Sequence, residues 1–180
     1  MKKSESLRKS RADYLNKTAF SLSRNKRALS VLMKFRLIIN SAKRHFKWVE
    51  KQCGISGAHL WVLWEIHQSP GLSVNGLSAA MAFHQSTVSN MVDKLVKAKL
   101  IQRKRSNKDQ RVVTLCLTNE GRSLLRRAPK PARGMLAETM HSLPEDLLIL
   151  FDGILKRVLE EMKPTDKRSM REPLSDLLTK

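Results

Sequence analysis

The sequence predicts a mainly α-helical fold that contains one short β-hairpin. Between Leu72 and Thr118, two short segments with helical apolar spacing are separated by a tight turn, and two strand-like runs follow them. Helical periodicity continues on both sides of this stretch, over residues 30–52 and 118–162. A helix, a turn, a second helix and a hairpin in this order predict a winged helix–turn–helix. In such a unit one helix enters a DNA major groove, and the hairpin reaches nearby phosphates or the minor groove.

The two short helices are expected at Val74–Met81 and Ser86–Lys97. Ser73 is expected to cap the first helix, because a serine hydroxyl can accept from a free first-turn amide, and Phe83 is expected to pack between the helices. The second helix turns its apolar stripe inward. Its opposite face carries polar side chains suited to base edges and phosphates: Gln85, Ser86, Thr87, Ser89, Asn90 and Lys94. Taken alone, this row is explained equally well as an ordinary solvated helix face.

The hairpin is expected from the runs Leu100–Arg105 and Val112–Leu117, which flank a turn-forming segment rich in Ser, Asn and Asp. Positive charge concentrates around its tip, where Asp109 is the one acid among Arg103, Lys104, Arg105, Lys108 and Arg111. Such a hairpin repels itself unless it meets an anion. It therefore favours the DNA-binding interpretation of the polar helix face.

Residues from about Ser56 to Gly121 resemble the MarR family of bacterial transcription regulators. The resemblance rests on four segments, PGLSVNGLSAAM, QSTVSNMVDKL, LIQRKRSNKDQR and LTNEGR. It implies a homodimer whose recognition helices enter successive major grooves of a palindromic double-stranded DNA operator, with the wing tips in the flanking minor grooves. By position, it makes Arg111 the minor-groove arginine and Asp109 the group that orients basic side chains. A repressor released by a small effector is the expected function.

The chain departs from the family pattern at two turns. Lys99 stands where many relatives have glycine at the helix end before the wing, and Ala82 stands where glycine is common in the turn. A residue other than glycine in a left-handed conformation costs about 1 kcal/mol. Strain or a different helix end is therefore expected at these two positions.

Composition limits the classes of partner. The formal charge of +19 over 180 residues predicts a polyanion, with nucleic acid preferred to an anionic membrane surface. Because only 5% of the residues are aromatic, base-stacking recognition of RNA or single strands is disfavoured.

Cys53 and Cys116 lack the spacing of a zinc site, so a reduced cytoplasmic chain without metal is expected. No apolar run is long enough to span a membrane, and no catalytic or nucleotide-binding motif is found, so we expect neither an enzyme nor a cofactor.

The chain is expected to divide into a basic flexible arm, a helical dimerisation region in two pieces, the winged unit and a frayed tail, at residues 1–29, 30–55 with 118–163, 56–117 and 164–180. The arm is alternatively a helix that becomes ordered only with a partner. The apolar stripes of Ser30–Gln52 and of Leu147–Met162 are wider than packing within one domain needs. This surplus predicts a homodimer interface.

An aromatic and histidine cluster near the junction of the first two long helices has two interpretations. Its members are His45, Trp48, Trp61, Trp64 and His67. They are either core side chains with satisfied imidazoles or the lining of a pocket for a small aromatic or anionic effector, which the family resemblance implies. Cys53 is likewise either a small buried hydrophobe or a redox switch.

The competing interpretation of the whole chain is a non-specific or architectural nucleic-acid-binding protein that depends on positive charge alone. The short polar side chains from Gln85 to Asn90 favour sequence-specific binding, because they are able to reach base edges. A comparison of binding to palindromic and scrambled DNA separates the two hypotheses.

Overall fold

A computed structural model describes residues 2–105, 113–163 and 168–174 of the chain. The chain divides into two compact units, Met1–Asn40 and Ser41–Lys180. The first unit is helical throughout its described length and belongs to α1. The elements follow one another as α1 (Lys2–Cys53), α2 (Gly57–Gln68), α3 (Val74–Met81), α4 (Gln85–Lys97), β1 (Ile101–Arg105), β2 (Val113–Leu117), α5 (Asn119–Arg127), α6 (Met135–Ser142) and α7 (Glu145–Met162).

Helix α1 begins far earlier than its apolar stripe predicts. The expected start at Ser30 is wrong, since the helix runs from Lys2 and includes residues 2–29. The physical reason is the absence of a helix breaker, because no glycine or proline precedes Gly54. Gly54 ends the helix as predicted, with a φ of 67° and its amide donating to the Glu50 carbonyl at 2.9 Å. That residues 1–29 serve as a basic arm stays a prediction.

Helix α2 lies at the centre of the core of the second unit. Ser56 caps it as predicted, by accepting from the His59 amide, and Leu60, Val62 and Leu63 are fully buried. The helix contacts α3, α4, α5 and β2. Burial on this scale is the main stabilising term available to the unit, at roughly 1.5–3 kcal/mol for each large apolar side chain.

The winged helix–turn–helix forms as predicted, so the expected mainly α fold is confirmed. Helix α3 has the expected bounds and its Ser73 cap, whose hydroxyl accepts from the Gly76 amide at 3.1 Å. Strands β1 and β2 pair antiparallel, with Ile101 opposite Leu117. Phe83 is half-buried and packs edge-on against Trp61 at a centroid distance of 5.6 Å, so it borders the core instead of plugging it.

The helices after the wing follow the predicted interruptions. Helix α5 ends at Arg127, just before Pro129, and α6 begins at Met135. Helix α7 begins directly after Pro144 and has no buried residue. Most of its apolar side chains are exposed in the single chain, as Ile154 and Leu159 illustrate. Among the helices of the described ranges, none combines the length and the apolar character needed to cross a membrane.

The described part of the C-terminal segment, residues 168–174, has regular structure within the second unit. Arg168–Arg171 form a short 3₁₀ helix, and Pro173 is buried. The Arg171 carbonyl accepts a hydrogen bond from the His84 amide at 3.4 Å. Residues 168–174 therefore differ from the expected frayed tail, because they contain a short helix, a buried proline and a backbone hydrogen bond to His84.

Candidate nucleic-acid interface

The polar row of α4 faces outward. The side chains of Gln85, Ser86, Asn90 and Lys94 are exposed, and Thr87 and Ser89 are half-buried. The inward face is apolar, with Val88, Met91, Val92 and Leu95 buried. Because every predicted reading residue of α4 lies on or beside its open face, this helix can present hydroxyl, amide and ammonium groups to a groove.

The two turns that lack glycine adopt the left-handed conformation that glycine usually supplies. Ala82 has a φ of 53° and Lys99 a φ of 58°. At each, a Schellman pair of hydrogen bonds closes the preceding helix; after α4, Lys99 donates to Val96 and Leu100 donates to Leu95. The alternative of different helix ends is therefore not realised, and each turn retains roughly 1 kcal/mol of strain.

The basic side chains of β1 stand beside α4, and one of them is joined to it. Arg103, Lys104 and Arg105 are exposed. An Nη2 atom of Arg103 lies 2.8 Å from Oδ1 of Asp93, with side-chain exposures of 40% and 47%. An ion pair this exposed contributes at most about 1 kcal/mol to stability. Its main consequence is geometric, because it fixes the orientation of β1 relative to α4. Sequence reasoning missed Asp93, although it is the one acid in α4.

The root of the wing is fixed by hydrogen bonds made by β2 and by residues next to the two strands. The Leu115 amide of β2 donates to the Leu72 carbonyl at 2.9 Å. On the other side, the Thr118 hydroxyl donates to the Lys99 carbonyl at 2.7 Å and accepts from the Gly121 amide at 3.0 Å. One hydroxyl therefore joins the start of the wing to the cap of α5.

Gly121 permits this close junction. A Cβ atom at this position would lie 2.0 Å from the Leu100 carbonyl oxygen, which is a backbone atom. Any side chain would therefore force α5 and the wing root apart. This contact explains why glycine is needed in the LTNEGR segment.

The tip of the wing lies outside the described residues. Lys108, Asp109 and Arg111 belong to residues 106–112, which the structure leaves undescribed. The minor-groove role of Arg111 and the orienting role of Asp109 therefore stay predictions.

A second feature of the same unit is an apolar cavity of about 290 Å³ beside the turn between α3 and α4. Its walls include Phe46, Trp61, Phe83, Arg133, Met140 and Leu174. A buried polar group borders it, since Glu65 accepts from Trp61 Nε1 at 2.7 Å and from Arg133 Nε at 3.1 Å. The carboxylate of Glu65 is thus neutralised by a cation that also faces the cavity.

The five residues of the predicted effector cluster do not line one common pocket in the structure. Of its five members, Trp61 lines the cavity. Trp48 is exposed and packs edge-on against His45 at 6.0 Å, and Lys130 Nζ lies 5.4 Å from the centroid of the Trp64 ring, with the exposed His67 ring beside it. His45 is buried, and burial lowers its pKa against the opposing effect of a hydrogen bond with the Pro131 backbone. Phe46, Phe83 and Arg133, which do line the cavity, were missed.

The thiol of Cys53 does not have the environment of a reactive cysteine. It is half-buried, and burial raises its pKa more than the nearby Arg127 charge lowers it. A raised pKa reduces the thiolate fraction on which redox chemistry depends. Within the part of the chain that the structure describes, no three His, Cys, Asp or Glu side chains come together as metal ligands would.

An exposed polar helix, a basic strand joined to it and a turn that sets their angle define a winged helix–turn–helix protein. The model of the MarR family matches residues 55–113, which contain α2, α3, α4 and the hairpin. Over this segment the chain is similar to the MarR family.

Several known proteins are similar to the chain. The HTH-type transcriptional repressor MdtR of Bacillus subtilis (strain 168) is 28% identical over 123 residues, which are 68% of this chain and 79% of that protein. The crystal structure of an S. aureus MepR–DNA complex is similar at 25% identity with a TM-score of 0.51, covering 71% of this chain and 93% of that one. The YusO protein of Bacillus subtilis is 27% identical, with a TM-score of 0.47 and coverage of 73% and 91%.

Proposed function

We propose that this chain is a sequence-specific regulator of transcription that binds double-stranded DNA as a homodimer. The observation that carries the proposal is the polar row on the open face of α4, from Gln85 to Lys94, with the basic strand β1 joined to α4 through Arg103 and Asp93. The similarity to MepR, whose structure was solved with DNA, supports the same mode of binding.

The two parts of the surface have different tasks in this proposal. Ser86, Thr87 and Asn90 meet base edges in the major groove, because their hydroxyl and amide groups can donate and accept. Lys104 and Arg105 meet phosphates, which supply affinity without sequence preference. Arg111 at the wing tip enters a minor groove, where a narrow A·T-rich segment has the strongest negative potential.

Homodimer formation is supported by apolar surface that a single chain leaves open. Residues 31–39 of α1 expose Val31, Leu32 and Ile38, and α7 exposes Ile154 and Leu159. Apolar side chains left exposed in this number on each of two helices are unusual for a soluble monomer. An obligate interface would bury on the order of 2,000 Å² or more, and it would set two reading helices about one helical turn of DNA apart.

Regulation by a small effector is the finer part of the proposal. The cavity lies against Ala82 and Phe83, which set the angle between α3 and α4. Its apolar walls suit an aromatic ring, and Arg133 offers a cation to an anionic group if it leaves Glu65. A ligand there would change the position of α4 and release the operator. Repression is proposed because a dimer bound at an operator blocks access to it, and the similar MdtR is named a repressor.

The decisive experiment compares binding to a palindromic operator with binding to a scrambled duplex at two salt concentrations. DNA surrounding the gene is the first source of candidate operators. We expect a large preference for the palindrome together with a steep salt dependence. Equal affinity for both duplexes would instead establish the rival function, non-specific binding by charge.

Two variants distinguish recognition of bases by α4 from electrostatic attraction to phosphates by β1. Asn90→Ala should change which operator bases are preferred. Lys104→Ala should weaken binding to all duplexes alike and reduce the slope of log affinity against log salt by about one unit. If Asn90→Ala loses the same affinity on every operator variant, α4 does not read bases in the proposed orientation.

A further inference from the structure

The C-terminal segment 168–174 meets the reading helix at its first residue. The carbonyl of Arg171 accepts from the amide of His84 at 3.4 Å, and His84 is the N-cap of α4. Gln85 and Ser86, the first two reading residues, follow directly and are exposed. The backbone of residue 171 is therefore adjacent to the end of α4 that enters the groove in helix–turn–helix proteins.

Most residues of this segment contribute to the wall of the cavity, whereas the side chain of Arg171 is exposed to solvent. Met170, Glu172, Pro173 and Leu174 line the cavity. Arg171 is not among the lining residues, and its side chain is exposed. Across the described residues, Arg171 forms no ion pair. Its charge is thus held next to the reading helix without an acidic partner in that part of the chain, while the neighbouring acid, Glu172, belongs to the cavity wall.

We propose that the C-terminal segment is a third element of the DNA interface, after α4 and the wing, and that Arg171 contacts a backbone phosphate flanking the groove that α4 enters. A group beside the N-terminal end of a recognition helix faces the edge of the major groove, where phosphates lie. An exposed guanidinium that has no ion-pair partner among the described residues matches a phosphate in charge and hydrogen-bonding geometry. The inference rests on the proposed function and extends the DNA-contacting surface beyond the family segment 55–113.

The test is a salt titration of operator binding with Arg171→Ala, Arg171→Lys and the control Arg126→Ala. Arg126 is exposed in the last turn of α5, so its replacement removes the same charge from another surface. Arg171→Ala should weaken binding several-fold and reduce the salt slope by about one unit, because one phosphate is no longer neutralised. Arg171→Lys should keep most of the slope, and Arg126→Ala should leave it unchanged. Because the hydrogen bond to His84 uses the backbone carbonyl, none of these variants removes it.

Each result separates this inference from the function on which it rests. A parent protein that does not bind duplex DNA overturns the proposed function. If the parent binds and Lys104→Ala reduces the slope, but Arg171→Ala behaves as Arg126→Ala does, the inference alone is overturned. Tighter binding by Arg171→Ala would also overturn it, because the segment would then obstruct the groove.

Discussion

Replacing Gly121 by alanine tests whether α5 and the wing root touch as closely as the structure shows. Helix propensity alone predicts a gain, because alanine is more favourable than glycine inside a helix by about 1 kcal/mol. The structure predicts a loss, because the new Cβ atom would lie 2.0 Å from the Leu100 carbonyl oxygen. The sign of the change in the free energy of unfolding therefore distinguishes the two expectations.

The loss in the free energy of unfolding can be estimated from the main-chain displacement that the new Cβ atom requires. Relieving a contact with a backbone atom shifts main chain, and overpacking of this kind costs roughly 1–3 kcal/mol. The same carbonyl accepts from the Thr118 amide at 3.1 Å, and losing this hydrogen bond adds about 1 kcal/mol. After the gain in helix propensity is subtracted, we expect Gly121→Ala to destabilise the protein by about 1–3 kcal/mol.

Urea unfolding followed by far-ultraviolet circular dichroism measures this difference from the midpoint and slope. Gly153→Ala is the matched control, since Gly153 also lies within a helix but a Cβ atom there meets nothing within 4 Å. The control should stabilise the protein by about 0.5–1 kcal/mol. If Gly121→Ala stabilises the protein as much as the control does, the close junction does not exist in solution. Where both variants remain folded, only Gly121→Ala should also weaken operator binding, because it displaces the wing.

Four further outcomes are expected. Asp93→Ala should weaken operator binding although it raises the net charge, because Arg103 loses the carboxylate that orients it; tighter binding in a titration would show that charge outweighs position. Arg111→Ala should reduce affinity by about 1–3 kcal/mol, mostly for operators with A·T-rich flanks, as competition between flank variants would reveal. Lys99→Gly should raise the free energy of unfolding by about 1 kcal/mol by removing left-handed strain, and an unchanged urea midpoint would contradict that φ value. Since burial lowers the pKa of His45, the unfolded chain binds more protons below about pH 6.5, so stability should fall as the pH drops through this range; His45→Gln should show a weaker pH dependence.

Sequence signals between near neighbours predicted the bounds of the two helices α3 and α4 to within one residue. The Ser73 cap and the bounds of α3 depend on side chains within four positions of one another, and hydrophobic period placed the inward face of α4. The first hairpin strand begins one residue later than predicted, at Ile101, and within the described residues the second strand covers Val113–Leu117. The start of α1 was wrong, because its apolar stripe begins only at Val31, whereas a helix continues until something interrupts it.

Contacts between distant segments could not be predicted in this way. The pair formed by Arg103 and Asp93 requires the angle between β1 and α4, which no spacing encodes. The cavity likewise brings together α1, α2, α6 and the C-terminal segment, so the aromatic cluster was defined by closeness in sequence and only Trp61 proved to belong. Arg133 lies 68 positions from Glu65, and only the folded chain shows that they meet.

The three attachments of the wing root, at Leu72, Asp93 and Thr118, have a consequence for the operator. They hold β1 and β2 at a set separation from α4, so the proposed major-groove and minor-groove contacts of one subunit would lie a fixed length of DNA apart. One inserted base pair lengthens the duplex by about 3.4 Å and rotates everything beyond it by roughly a tenth of a turn. Base substitutions between the two contacts should therefore be tolerated, whereas a single insertion there should remove one of the contacts.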